Sequence, residues 1–153
     1  MDMYKEWLEG TWTLESFTGK DEEGNVIDVM GPGATGFISY TSDGWISVEI
    51  IKADRMKYRI PDLERGTDEE TLAAARSLFA YAGRYEVDEE NAIVYHNLEF
   101  ALVPNWIGSS QKRYINRVDD NTLELTADPA RMGPEGKKLN SCLRWNRLEP
   151  LNK

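Results

Sequence analysis

His96 is the single histidine of the sequence, and so the one side chain whose ordinary pKa lies near neutrality. It falls in the run Ala92 to Leu102, where alternation puts it on a face with Val94, Leu98 and Phe100. That face is apolar, so the imidazole is expected to point inward. There it could serve as a hydrogen-bonded structural group, touch a ligand, or move a proton at pH 7. Gln111 and Arg113 alternate on the next run, with Ile115 beyond them. A guanidinium is seldom buried without a partner. Glu49, on a face with Trp45 and Ser47, is a candidate carboxylate for it. The other readings are a solvent-facing arginine, or an anchor, with Gln111, for a ligand carbonyl, enolate or carboxylate. Tyr40, Tyr81 and Tyr85 lie in runs that should face the same interior, and Gly83 relieves bulk between two of the rings. They are either plain core packing or an aromatic wall with phenol groups that orient a polar ligand atom.

Trp106, in the loop Pro104-Asn105-Trp106-Ile107-Gly108, either plugs one end of the fold or rims a pocket, and Met30, Met56 and Met132 also fall in loops. One histidine and one cysteine, Cys142, leave no His/Cys zinc set and no internal disulfide. No carboxylate spacing suggests a metal. No phosphate-cradling glycine loop or nucleophile elbow is present, and no cofactor is expected.

These residues need a scaffold. The length of 153 residues fits one domain, 1–153, of which folding would bury roughly 68–70% of the chain's surface. A net charge of −9 disfavours nucleic acid and anionic membranes as partners. No apolar run approaches the ~20 residues of a membrane span. Met1 to Leu8 is charged and lacks a signal-peptide core, so the cytoplasm is the expected address.

The punctuation is that of an all-β chain with one helical insert. Strands are expected over Thr11–Thr18, Gly36–Thr41, Trp45–Ile51, Tyr81–Val87, Ala92–Leu102, Ser110–Val118, Thr122–Thr126 and Lys138–Leu148. Asp43-Gly44 is a hairpin signal. Val26 to Gly33 and Asp128 to Gly136 read as irregular loops, and Met3–Leu8 could form a short helix leading into Gly10. Thr67-Asp68-Glu69-Glu70 is a capping box, followed by Leu72, Ala75, Leu78 and Phe79 at helical spacing. A helix over Asp68–Ala80, between the third and fourth of these strands, is the reading. About eight antiparallel strands joined in order can close as an up-and-down barrel, filled by side chains or holding one small ligand.

Gly10-Thr11-Trp12 opens the first strand and Trp145-Asn146-Arg147 closes the last. The pairing resembles the lipocalin and wider calycin pattern, in which an arginine of the last strand lies over the tryptophan of the first. Gly10, Trp12 and Arg147 would then close the base. The order Gly10-Thr11-Trp12, Gly36–Gly44, Tyr81–Val87, and Pro104–Gly108 with Gln111 and Arg113 is similar to the bacterial and fungal lipocalin-like domain family. That resemblance implies a lipocalin-like barrel, with the helix lying over an opening. Family members commonly carry paired histidines where this chain has His96-Asn97, so chemistry resting on the second histidine would be absent here.

Three functions follow. The first is a binder of a small apolar or amphipathic molecule, using Tyr40, Glu49, Tyr81, Tyr85, His96, Trp106, Gln111 and Arg113. The second is a cofactor-free isomerase, cyclase or dehydratase on a small carbonyl or polyketide-like substrate, with His96 as proton shuttle and Arg113 and Gln111 at the oxyanion. The third is a filled barrel with a structural or partner-binding role. A homodimer is compatible with all three.

Overall fold

A computed structural model describes residues 3–149; the outer limits of the expected 1–153 domain lie outside these residues. The chain forms α1 (Met3–Leu8), β1 (Gly10–Lys20), β2 (Val26–Asp28), β3 (Thr35–Tyr40), β4 (Trp45–Ile51), α2 (Asp68–Arg76), β5 (Leu78–Asp88) and β6 (Ile93–Ala101). A 3-10 turn (Pro104–Trp106) follows, then β7 (Ser110–Asp119), β8 (Thr122–Thr126), β9 (Ala130–Met132) and β10 (Lys137–Arg147). All pairings are antiparallel, and β1 pairs with β10, so β1, β3–β8 and β10 close a barrel of eight strands.

Three expectations need correction. The sheet has ten strands, because β2 and β9 occupy stretches read as loops, β2 against Thr18–Lys20 and β9 against Lys137–Leu139. Each has three residues, too few to display an alternation. Among the described residues there are two α-helices: α1 is the short helix that Met3–Leu8 could form, in addition to the inserted one, and α2 stops at Arg76, so Leu78 and Phe79 begin β5. Its start is as read: Thr67 accepts from the Glu70 amide at 3.2 Å, and the Glu70 carboxylate accepts from the Thr67 amide at 2.9 Å. Its end is held by Arg55, which donates to the Ala74 carbonyl and the Ser77 hydroxyl. Leu72 faces solvent, and the last residue of α2, Arg76, is exposed and borders the opening of the barrel.

The third correction concerns β6. Val94, His96 and Leu98 are buried as the alternation requires, but Phe100 is 64% exposed. Gly83 pairs with Leu98 and Ala82 with Phe100, which leaves Glu99 as an extra residue. A bulge of this kind reverses the facing of everything beyond it. Gly83 is needed there for backbone reasons rather than to separate rings: a Cβ on it would stand 2.0 Å from the Asn97 carbonyl oxygen.

One end of the barrel is sealed. Trp12 and Arg147 are opposite each other in the β1–β10 register, with the guanidinium 4.1 Å from the indole centroid. Arg147 also donates to the carbonyls of Trp7 at 2.7 Å and Glu9 at 3.2 Å. Trp12 donates its indole N–H to the Leu8 carbonyl, and Trp7 donates its own to the Asp120 carbonyl, both at 2.9 Å. The two indoles meet edge to face at 5.0 Å. Glu89 accepts from the amides of Tyr4 and Lys5, which fixes α1 across this end. Among the described residues no helix is long and apolar enough to cross a membrane.

Candidate functional site

Above the sealed base the barrel is hollow. A cavity of about 940 Å³ is lined by inward residues of the strands, including Phe17, Ile38, Val48, Leu125 and Leu143. Its upper part meets Lys52, Arg76, Phe79, Trp106 and the segment Ala127–Pro134. Ligand pockets of ~300–1,000 Å³ are usual, mostly apolar with a few convergent polar groups. Here the polar groups are Tyr81, His96, Gln111, Arg113 and Ser141.

His96 is 1% exposed. A structural role needs only one hydrogen bond to the ring; the ring has two. Tyr40 Oη lies 2.7 Å from Nε2 and Tyr81 Oη lies 2.8 Å from Nδ1. Burial, and then the Arg113 charge, push its pKa down to about 3, so the ring is neutral at physiological pH. A neutral imidazole donates from one nitrogen and accepts at the other. The buried Tyr40 hydroxyl has no other partner among the described residues. If Nε2 were the donor, the Tyr40 hydroxyl hydrogen would be stranded in apolar surroundings at a cost of ~1–3 kcal/mol. The network therefore assigns Tyr40 as donor to Nε2 and Nδ1–H as donor to Tyr81. The Tyr81 hydroxyl hydrogen is left free, on a residue that lines the cavity.

Gln111 pairs with His96, and Arg113 with Val94, across β6 and β7, which puts both on the inner face. Gln111 donates to the Ser109 hydroxyl at 3.0 Å. Arg113 donates to the Lys112 carbonyl at 3.0 Å, and among the described residues it makes no ion pair. Its charge bears on Tyr40, Tyr81 and His96: burial raises both tyrosine pKa values, and Arg113 opposes that rise. The result is one cluster of donors, the Tyr81 O–H and the Arg113 guanidinium, with no carboxylate among the described residues paired to either.

Glu49 does not complete the pair. It is exposed, because Ile46, Val48 and Ile50 take the inner face of β4 and leave Trp45, Ser47 and Glu49 outside. Tyr40 and Tyr85 are buried below the cavity rather than lining it. They pack edge to face at 4.9 Å, and Tyr85 donates to the Thr41 carbonyl at 2.7 Å. Trp106 lines the cavity near its rim, 5.5 Å from Phe79. Asn97, next to His96 in the strand, faces the other way and does not reach the cavity. The sequence reading missed the loop contribution from Ala127–Pro134, and Lys52, Arg76 and Arg131 at the upper wall. The loop residues carry no periodic signal.

The family model for the lipocalin-like domain matches residues 9–148, nearly the whole barrel. The chain belongs to the lipocalin-like domain family. This lipocalin-like barrel is also 32% identical over 113 residues to the 4'-hydroxy-3'-methoxypropiophenone carrier protein ppsC of Aspergillus oryzae. That alignment covers 69% of this chain and 99% of the relative. Among solved structures, a redesigned β-barrel matches at 13% identity with TM-score 0.43, covering 95% of both chains. A fluorescence-activating β-barrel designed de novo matches at 10% identity and TM-score 0.44, covering 97% of this chain and 100% of that one.

Proposed function

We propose that this protein binds and carries a small, largely apolar molecule that presents one acceptor oxygen to Tyr81 and Arg113. The observation that carries this reading is that the Tyr81 hydroxyl and an Arg113 guanidinium without an ion pair among the described residues both line one cavity of about 940 Å³, largely apolar in its wall. An oxygen placed between them gains a charge-assisted hydrogen bond from Arg113 and a second from Tyr81. Gln111 extends the polar strip, and Trp106 and Phe79 offer flat apolar surface to the rest of the molecule. The Aspergillus oryzae relative, a carrier named for an aryl ketone, supports the same class of ligand here.

The binding reading is favoured over proton-transfer catalysis by His96 itself. Both ring nitrogens are engaged by tyrosines, and a pKa pushed down to about 3 makes it a weak base at neutral pH. The filled-barrel reading lacks support in a hollow of this size.

Calorimetric titration with 4'-hydroxy-3'-methoxypropiophenone tests the proposal. Saturable one-to-one binding is expected, weakened about tenfold by Tyr81→Phe, which removes one hydrogen bond to the ligand of about 1.4 kcal/mol. Absence of saturable binding by the ketone, and of any small molecule extracted from purified protein and seen by mass spectrometry, would contradict it.

A further inference from the structure

The charges around the cavity run against the rest of the molecule. The chain carries 27 acidic and 18 basic residues. The charged residues that line the cavity are Lys52, Arg76, Lys112, Arg113 and Arg131, against Asp128 alone. Two of these belong to the outer wall: the Lys112 ammonium lies 4.9 Å over the Tyr114 ring, and Asp128 accepts from the Tyr114 hydroxyl at 2.8 Å. The remaining four are all cations, and Asp128 is the one carboxylate among the described lining residues.

None of these four cations forms an ion pair among the described residues. Arg113 is the half-buried one of the four; Lys52, Arg76 and Arg131 are exposed at the opening. In a protein with a surplus of acids, leaving four cations unneutralised around one hollow makes a local positive field, which low-dielectric walls focus inward. Facing Arg113 from the neighbouring strands are Tyr40, Tyr81 and His96, the last neutral. Ile38, Val48, Leu125, Ser141 and Leu143 supply no charge. Nothing in the wall can neutralise the guanidinium from within.

We infer that the cavity takes its ligand as an anion, an apolar body bearing a single oxyanion, with Arg113 as its counter-charge and Tyr81 as a second donor. This rests on the carrier reading and adds the ionisation state of the cargo. A carboxylate and an ionised phenol share that chemistry. Lys52, Arg76 and Arg131 draw the anion toward the opening, and Arg113 holds it inside.

The test uses three probes on one propiophenone skeleton, with a hydroxyl, a methoxy or a carboxylate group at the ring 4-position. Affinities are measured by calorimetry, and ionisation of the bound phenol is followed by the longer-wavelength absorbance of its phenolate. The inference predicts that the bound phenol ionises at least about one pH unit below the free phenol, or that the carboxylate binds at least about tenfold tighter than the methoxy compound. The first result identifies a phenolate cargo, the second a carboxylate, and both together the shared class. Arg113→Gln should remove the preference while Arg113→Lys keeps most of it. Equal binding of methoxy and carboxylate probes, with phenol ionisation unmoved, would overturn the inference and leave the carrier reading standing. A preference that survives Arg113→Gln would overturn the role given to Arg113. Failure of all three probes to bind would remove both.

Discussion

Arg147 and Arg113 belong to the same barrel and are employed in opposite ways. Arg147 closes the base: its guanidinium stacks on Trp12 and donates to the carbonyls of Trp7, Glu9 and Asp120. Arg113, in the wall of the hollow, has one carbonyl partner and, among the described residues, no carboxylate. The Trp12–Arg147 contact and its hydrogen bonds define a base that is finished without a ligand. The Tyr81–Arg113 cluster is a set of donors that a ligand oxygen would complete. The difference separates an arginine whose hydrogen bonds are completed within the fold from one that has a single carbonyl partner.

The largest expected effect comes from His96, which is buried in neutral form beneath the hollow. Its folded pKa is depressed from 6.5 to about 3. Between those values the unfolded chain binds a proton that the folded chain refuses, so stability rises with pH through this window and is lost as pH falls toward 3. The full swing is on the order of 5 kcal/mol. Urea unfolding at pH 4 and pH 7 should show a steep acid loss in the wild type that is shallower in His96→Gln; parallel pH profiles would mean that His96 is not buried neutral. At the base, Trp12→Ala should cost about 3–5 kcal/mol in the same assay. Arg147→Met should cost about 2 kcal/mol from the lost stacking alone. In the hollow, Arg113→Gln should change stability by less than about 1 kcal/mol, because it breaks no ion pair. If Arg113→Gln proves as costly as Arg147→Met, the contrast between the two arginines collapses. Glu49→Gln, on the outer face, should leave both stability and binding within about 0.5 kcal/mol of wild type.

The eight main strands were legible because alternation marks them, and the seal was legible through the resemblance of Gly10-Thr11-Trp12 with Arg147 to the lipocalin pattern. The same period of two placed His96 on the inner face and put Gln111 and Arg113 on one shared face, without fixing which side that face takes. What escaped the sequence depends on events without a period. The bulge at Glu99 turns Phe100 outward, and its one sequence mark is a glycine, Gly83, on the neighbouring strand. Glu49 shares a strand with stronger inward candidates, and the β-branched set Ile46, Val48 and Ile50 wins the interior. The second tyrosine bond on His96 and the charge balance of the upper wall are long-range juxtapositions, created by closure of the barrel.

A structure of the complex with 4'-hydroxy-3'-methoxypropiophenone tests the central claim most directly. The ketone is expected inside the barrel, with one of its oxygens about 2.6–3.2 Å from both Tyr81 Oη and an Arg113 nitrogen. A ligand bound on the outer surface, or a barrel whose interior is closed by its own side chains, would contradict it.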